Sequence, residues 1–553
     1  MLFTARAYKG MVVTPHRLAS EAGIAVLRKG GNAVEAAIAA AATLCVVYPH
    51  MTGLGGDTLW LVMPAEHGKK KLPPAAAFGP PFAPPFVIDG CGRSAGLASQ
   101  KWYIDRSLNK IPTRGAASAL TMAGAVSGWK TALDAASAWP SDKTPLPLAE
   151  LFEDAIALAE EGYPVSTGQS ALSGDILRGL NQVPGFAKTF LQNGKSPRKG
   201  SRLRLPALAA TFKRLADEGL DSFYRGSLAD TLAEDLEEAG SPLRREDFEA
   251  HRAETRRALE LSCFGATVYN TPPPTQGLAS LMILAIAERL AAKAGCNLHD
   301  ETSLIHVVAE ATKAAFVLRN RHIADPHHMT RDAQRMLDAA VLDDLAHGIS
   351  LDTAKPWLHT GSEGGDTVWF GVMDRMGNSV SIIQSIYHEF GSGLVLPRSG
   401  VLWHNRGLGF VFEKGHVNSL APNKQPLHTL NPAMAAFDDG RFMGYGTMGG
   451  DGQPQSQAAI FLRYARLGYP LQAAIVEPRW LLGRAWGDMS PSLKVERHFA
   501  PEVMRQLKGM GHDVESVGAF SSLMGHAGAL VRHPDGLLEG AFDPRSDGAA
   551  SCW

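Results

Sequence analysis

The sequence changes character near residue 350, and this change constrains the fold most. From about 145 to 345 it reads mainly as helices, with apolar residues at three-to-four spacing. A polar, glycine-containing stretch of the kind that stays reachable runs from 351 to 366. Residues 367–386 then predict a β-hairpin of β-branched and aromatic strands around a turn at 375–378. The chain is therefore expected to mix helices and strands.

The first sixty residues predict two helices followed by a glycine loop. Residues 20–27 have helical spacing that ends at Gly30. Asn32 and Glu35 form a capping-box-like pair before an alanine-rich helix that can pack closely on a sheet. The loop at 49–57 lacks the P-loop lysine and the Rossmann spacing, so we interpret it as a tight loop near a pocket and not as a nucleotide site.

Composition favours a small substrate and a reducing compartment. The 54 basic residues balance the 55 acidic ones, so neither nucleic acid nor a membrane surface is an expected partner. No segment resembles a signal peptide, and no apolar run reaches the ~18 residues of a membrane span. The five cysteines show no metal-ligand spacing. We therefore expect a soluble cytoplasmic protein with two functional segments in its 553 residues.

Thr367 stands at the start of a strand, directly after the polar stretch. A threonine hydroxyl is a weak nucleophile, but at a chain terminus its own α-amine can serve as base. The pKa of such an amine is about 7.7–8.0, which leaves a useful neutral fraction near pH 7. To expose it, the Asp366–Thr367 bond must be cut. A threonine at this place can also be purely structural, and only its surroundings distinguish the two interpretations.

Four long blocks supply those surroundings, in the order GMVVTPHRLASEAGIAVLRKGGNAVEAAIAAAATLCVVYPHMTGLGGD, TPPPTQGLASLMILAI, GDTVWFGVMDRMGNSVSIIQSIYHEFGSGLVLPRSGVLWHNRG and MGGDGQPQSQAAI. Through them the chain resembles the gamma-glutamyltransferase family of N-terminal-nucleophile (Ntn) hydrolases over almost its full length. The resemblance implies an α+β fold, a four-layer αββα sandwich, here with extra helical cladding. It also implies autoproteolysis into a large segment, 1–366, and a small segment, 367–553, which stay associated.

The resemblance further implies roles for individual residues. Thr367 becomes the nucleophile, Ser385 the hydroxyl that supports it, and Gly449 and Gly450 the backbone donors of an oxyanion hole. A Gly-Gly turn suits that role because two amides can approach a developing oxyanion without side-chain interference. Without the resemblance, the glycines would be interpreted as a turn and Ser385 as an ordinary strand serine.

The positions that hold a gamma-glutamyl group in the family differ here. Its arginine corresponds to Gln100, its glutamine to Arg406, its aspartate to Gly409 and its serine pair to His428 and Thr429. The change to glycine removes the partner of a substrate ammonium, whereas Arg406 adds a planar fork suited to a carboxylate. Arg406 could instead form a salt bridge, and His428 could be a hydrogen-bonded loop histidine.

These differences predict an amidohydrolase that cleaves a small carboxylate-bearing amide and turns over glutathione poorly. Through QSIYHEFGSG and MGGDGQPQ the chain resembles the family's gamma-glutamyltransferase-like branch, which includes oxamate amidohydrolase and cephalosporin-acylase-type enzymes. The alternatives are a genuine gamma-glutamyltransferase or glutathione hydrolase, and an uncut, non-catalytic binding protein. We expect no cofactor, since nucleophile, base and oxyanion hole account for amide cleavage, and no metal, since even the pair His327-His328 lacks ligand spacing. The sequence leaves the oligomeric state open.

Overall fold

Two antiparallel sheets form the centre of the protein. The computed structural model describes residues 3–65, 85–139, 144–172, 177, 179–357, 365–483 and 490–553. In chain order its strands are β1 (Ala5–Ala7), β2 (Gly10–Thr14), β3 (Asp57–Met63), β4 (Phe86–Gly90), β5 (Tyr163–Pro164), β6 (Arg202–Leu203), β7 (Glu254–Arg257), β8 (Leu259–Cys263), β9 (Ala266–Asn270), β10 (Asp366–Asp374), β11 (Ser379–Tyr387), β12 (Ala433–Phe437), β13 (Phe442–Thr447), β14 (Trp480–Leu482), β15 (Leu493–Glu496), β16 (Val514–Val517), β17 (Ala527–Arg532), β18 (Leu538–Phe542) and β19 (Ala549–Cys552).

The order of the strands places the predicted hairpin at the middle of one sheet. The first sheet runs β19-β2-β10-β11-β3-β4-β7 and the second β1-β18-β17-β13-β12-β9-β8. All neighbours in the first sheet are antiparallel, and so are those in the second. Two smaller sheets, β14-β15-β16 and β5-β6, lie outside this pair. The hairpin β10–β11 thus sits between β2 and β3, which come from the N-terminal part of the chain.

Apolar side chains from facing strands fill the space between the two large sheets. This core includes Leu61, Trp369 and Ile383 of the first sheet and Met434 and Leu530 of the second, each at most 2% exposed. Alternate residues of each strand point into it, as the period of two in a strand requires. The remaining side chains of each sheet face a layer of helices.

The two helical layers complete the sandwich. Helices that share an apolar core with the first sheet are Arg17–Lys29, Ala33–Val47, Gln100–Ile104, Ala125–Ala136, Leu148–Leu151, Glu153–Glu161, Phe186–Phe190, Pro206–Glu218, Ser222–Arg225, Ser227–Ala239 and Arg245–Ala250, and the short helix Thr167–Ser170 lies among them in the chain. Helices that share a core with the second are Gly277–Ala291, Glu301–His322, Ala339–His347, Gln453–Phe461, Leu471–Val476 and Pro501–Gly509. The predicted four-layer αββα sandwich is confirmed.

Local chemistry at the N-terminal helices is as predicted. Gly30 ends the first helix in the left-handed region at φ 97°. The Asn32 side chain accepts from the amides of Val34 and Glu35 at 2.9 and 3.0 Å, and the Glu35 carboxylate accepts from the Asn32 amide at 2.8 Å. Every residue of Ala33–Val47 is buried, because its small side chains let the helix lie close to its neighbours.

One expectation about the middle of the chain is wrong. Residues 254–270 were expected within the helical cladding but form β7, β8 and β9, two of which close the edge of the second sheet. Their buried positions alternate, as Ala266, Val268 and Asn270 show in β9. Of the polar stretch 351–366, residues 358–364 lie outside the described part of the chain. None of the helices that the structure describes is long and apolar enough to cross a membrane.

Candidate active site

Thr367 lies at an irregularity where β10 joins its neighbour. Asp366 pairs with Tyr387 and Val368 with Gln384, so the register shifts at the residue between them. Such a bulge re-aims one side chain. The Thr367 side chain is 1% exposed, and its Oγ donates to Ser385 Oγ at 3.0 Å. The structure therefore brings together the predicted nucleophile and the hydroxyl predicted to support it.

Tyr387, two residues further along β11, holds the Ser385 hydroxyl in place. Ser385 Oγ also accepts from the Tyr387 amide at 2.8 Å, and Tyr387 itself has a φ of 77°. Few non-glycine residues adopt this conformation, and they cluster at functional sites. A Cβ on Gly365 would lie 2.4 Å from the Tyr387 ring, so only glycine fits there. The chain immediately before the predicted cleavage site is thus held against Tyr387.

The diglycine turn is braced from behind. Gly449 and Gly450 have φ values of 119° and 52°, and the first of these suits glycine alone. The Gly450 carbonyl accepts from Gln276 Nε2 at 2.7 Å. Gln276 Oε1 in turn accepts from Arg319 at 2.7 Å, and Arg319 forms a buried ion pair with Asp451 at 2.8 Å. These contacts hold the turn rigid, as an oxyanion hole requires.

A cavity joins the predicted cleavage site to this turn. It has a volume of about 470 Å³, and both Gly365 and Gly449 line it. Its walls also include Met51, Met448 and His526. A space of this size accommodates a small organic substrate.

Arg406 presents a buried guanidinium near the same residues. Its side chain is 1% exposed and lies 3.7 Å above the Tyr387 ring, and Nη2 donates to Thr429 Oγ at 3.0 Å. Burial lowers its pKa from the usual range. Within the described ranges it contacts no carboxylate, so the alternative of a salt-bridge arginine finds no partner there. A buried guanidinium without a counter-ion suits an anionic ligand.

Thr429 ties this arginine to the diglycine turn. The Thr429 carbonyl accepts from Gln276 Nε2 at 2.9 Å, and the same nitrogen donates to Gly450. Arg406 and the turn therefore share one hydrogen-bonded framework. Of the residues that carry this framework, Gln276 and Arg319 were not predicted from the sequence.

His428 is held by Asp57, the last residue of the glycine loop. His428 Nε2 lies 2.9 Å from Asp57 Oδ2, and Asp57 Oδ1 accepts from the Gly92 amide at 3.0 Å. Burial works to raise the pKa of Asp57, but His404, 3.3 Å away, and His428 hold it below its usual range. Burial and the nearby Arg406 lower the pKa of His428 to about 4. The imidazole is therefore neutral near pH 7.

Gln100 stands apart from this group in its contacts. Its amide donates to the Phe412 carbonyl at 2.9 Å and to Ser419 Oγ at 3.2 Å, which ties it to the loop at 412–419. Gly409 ends a short 3-10 helix that begins at Arg406. The contacts that connect Thr367, Ser385, Arg406, Thr429 and Gly450 thus include no bond from Gln100.

One group of side chains in the described ranges has metal-ligand character. The candidate ligand atoms of His306, Glu310 and His512 lie within 4.8 Å of one another. However, the two imidazoles contact each other at 2.9 Å, and Glu310 accepts from Lys313 Nζ at 2.5 Å. His306 also contacts the Ser350 carbonyl at 2.9 Å. Because other residues of this chain contact these atoms, we interpret the cluster as a set of hydrogen bonds that joins separate segments of the chain.

Comparisons with known proteins agree with this geometry. The family model described as gamma-glutamyltranspeptidase matches residues 19–553. The chain is 50% identical to the oxamate amidohydrolase proenzyme of Klebsiella pneumoniae, with 98% of each chain covered. It is 39% identical to the glutathione hydrolase-like YwrD proenzyme of Bacillus subtilis, again with 98% of each covered.

Solved structures give the same result. The cephalosporin acylase of Bacillus halodurans superposes with a TM-score of 0.85 at 28% identity, over 100% of this chain and 97% of that one. The two proteins therefore share one fold over the full length of this chain. From the family model, the relatives and the shared fold we conclude that this chain belongs to the gamma-glutamyltranspeptidase family.

Proposed function

We propose that this protein is made as a precursor that cuts its own Asp366–Thr367 bond. Thr367 Oγ attacks the Asp366 carbonyl carbon, the peptide C–N bond breaks, and an ester to Thr367 forms while its amine is released. Water then hydrolyses the ester and leaves a carboxylate at Asp366. The observation that carries this proposal is the buried 3.0 Å contact between Thr367 and Ser385 Oγ, beside a cavity that reaches Gly449. The "proenzyme" relatives support it.

The matured Thr367 then acts on an amide. Its free α-amine takes the hydroxyl proton as Oγ attacks the substrate carbonyl, and the amines of this class titrate at about 7.7–8.0. The amides of Gly449 and Gly450 stabilise the oxyanion, each donor typically contributing about 3 kcal/mol. The leaving amine departs with a proton, and water hydrolyses the acyl-enzyme to regenerate Thr367. No cofactor enters these steps.

The substrate we propose is a small amide with a carboxylate next to the scissile bond. Arg406 supplies a guanidinium for that carboxylate, and Gly409 offers no acid for a substrate ammonium. The relative named oxamate amidohydrolase supports this choice. A gamma-glutamyl compound is the second candidate, because another relative is named glutathione hydrolase-like.

The two segments stay together after the cut, in this proposal. β10 and β11 of residues 367–553 pair with β2 and β3 of residues 1–366 along one sheet. Separating them would expose the strand edges and the apolar core between the sheets. A cytoplasmic location fits the cysteines, since all five are free thiols.

An assay of oxamate against a gamma-glutamyl anilide tests the substrate. We expect the purified, self-cut protein to release ammonia from oxamate and to leave the anilide nearly untouched. Turnover of the anilide alone would instead establish the gamma-glutamyl candidate. A protein that stays one band on denaturing gels and hydrolyses neither compound would be the uncut binding protein.

A further inference from the structure

A ring nitrogen of His428 is buried without a partner. Nε2 faces the Asp57 carboxylate at 2.9 Å, and a carboxylate only accepts, so this nitrogen carries the hydrogen of the neutral imidazole. Nδ1 therefore holds a lone pair. This atom is inaccessible to solvent and meets no donor among the residues that the structure describes. A buried acceptor without a donor destabilises the folded protein, which calls for an explanation such as a ligand.

The sheet register places Asp57, the residue that holds this imidazole, opposite Ser385, the hydrogen-bond partner of Thr367. Asp57 lies directly opposite Ser385 on the neighbouring strands β3 and β11. Opposite residues of an antiparallel pair project from the same face, with Cβ atoms about 5 Å apart. Ser385 Oγ holds Thr367 Oγ at 3.0 Å. The Asp57–His428 pair is thus anchored on the face of the sheet that carries the reacting hydroxyl.

A second route of contacts links His428 to the guanidinium. The next residue, Thr429, accepts from Arg406 at 3.0 Å. The site therefore combines three kinds of group. Arg406 only donates, the diglycine amides only donate, and His428 Nδ1 only accepts. A carboxylate of the substrate satisfies Arg406, and its carbonyl oxygen satisfies the diglycine amides. His428 Nδ1, the remaining acceptor, then requires an N–H of the same small molecule.

Residues 365 and 366, directly before the predicted cleavage site, indicate where that small molecule binds. In the proposed function, self-cleavage and turnover use the same hydroxyl, so a substrate carbonyl takes the position that the carbonyl of residue 366 holds before the cut. Residues 365 and 366 lie along Tyr387, whose ring also supports Arg406. When the cut releases them, the space beside Tyr387 becomes available to the substrate.

We infer that Asp57 is a positioning residue that presents His428 Nδ1 as the acceptor for the N–H of a primary carboxamide. The site thereby selects unsubstituted amides, with ammonia as the leaving group, over N-alkylated ones. This inference rests on the proposed function, because it concerns the same hydrolysis by Thr367. It adds a specificity element that neither Arg406 nor the diglycine turn provides.

The test compares oxamate with its N,N-dimethyl derivative, which lacks any N–H. The variants are His428→Phe, which removes the acceptor, and His428→Asn, whose carbonyl oxygen can replace Nδ1. Asp57→Asn lets an amide N–H face Nε2, so that Nδ1 becomes the protonated nitrogen. The matched control is His251→Phe, because His251 is also buried with an unpartnered ring nitrogen in the described structure.

The readout is the ratio of kcat/KM for the two compounds, since intrinsic reactivity cancels between variants. We expect His428→Phe and Asp57→Asn to lower the ratio for oxamate over the dimethyl compound at least about tenfold, mainly because kcat/KM for oxamate falls. His428→Asn should restore most of it, and His251→Phe should keep the wild-type ratio. An unchanged ratio in His428→Phe protein that still cuts itself would overturn the inference alone. Wild-type protein that neither cuts itself nor hydrolyses oxamate would overturn the proposed function, and this inference with it.

Discussion

Thr367 Oγ donates a hydrogen bond to Ser385 Oγ across 3.0 Å in a part of the sheet closed to solvent. The two residues stand on adjacent strands of one hairpin, so the contact is set by strand pairing and by the shift of register at 366–368.

Replacement of Thr367 removes the hydroxyl that the proposal needs twice. We expect Thr367→Ala to remain a single chain of 553 residues, whereas the wild type yields pieces of 366 and 187 residues. Thr367→Ser should still cut, more slowly, because a β-branched residue restricts χ1 and holds Oγ in place. Denaturing electrophoresis and intact mass measure the outcome. Normal cleavage of the alanine variant would exclude Thr367 as the nucleophile.

Removal of the Ser385 hydroxyl tests the supporting contact. Ser385→Ala leaves Thr367 Oγ without this acceptor and the Tyr387 amide without its 2.8 Å partner. A hydrogen bond of this kind contributes about 1 kcal/mol and its loss in a buried site somewhat more, so the rate of self-cleavage should fall about tenfold. Time courses on fresh precursor give the rate. Ser381→Ala on the same strand, whose hydroxyl accepts from Trp369 instead, serves as control and should cut at the normal rate.

Arg406 should govern affinity for the carboxylate. Arg406→Leu is expected to lower kcat/KM for oxamate about a hundredfold, mainly by raising KM, because charge-assisted hydrogen bonds contribute about 1.5–3 kcal/mol. Arg463→Leu is the control, since Arg463 is also buried but donates to the Pro478 carbonyl on the side of the second sheet. Equal losses in both variants, with matching losses of thermal stability, would assign the effect to folding.

The sequence predicts the hairpin, the capped helices and the αββα layers because each depends on local pattern or on the quoted blocks. It does not predict that Asp57 holds His428, because these residues are 371 positions apart and meet only through packing of the sandwich. For the same reason the bracing of Gly450 by Gln276 and Arg319 is apparent only in three dimensions. The strands at 254–270 were missed because their alternation is short and lies among strong helices.

Buried histidines should make the protein sensitive to acid. Burial lowers the pKa of His50 to about 3, far below the value near 6.5 of an unfolded chain. Below pH 6.5 the unfolded state therefore binds a proton at this histidine, whereas the folded state does not. The contribution of His50 to the free energy of unfolding is complete above pH 6.5 and decreases as the pH falls toward 3. One such histidine lowers the free energy of unfolding by about 2 kcal/mol between pH 7.5 and 5. Urea unfolding of His50→Phe should show a smaller loss over this range, whereas the exposed His299→Phe should match the wild type.

Gly449 offers a test of the oxyanion hole that separates strain from chemistry. A Cβ there would meet Gly525 Cα at 3.5 Å and its nitrogen at 3.8 Å, both ordinary contacts, so space is not the obstacle. The obstacle is its φ of 119°, which an alanine adopts only at a cost of about 1–3 kcal/mol. Gly449→Ala should relieve that strain by turning the peptide away, and hydrolysis should fall more than about a hundredfold. Gly468→Ala is the control, because Gly468 also has a positive φ, 72°, with open space around it. Thermal unfolding measures the stability that each variant loses, and only Gly449→Ala should lose activity; equal activity in the two would remove Gly449 from the mechanism.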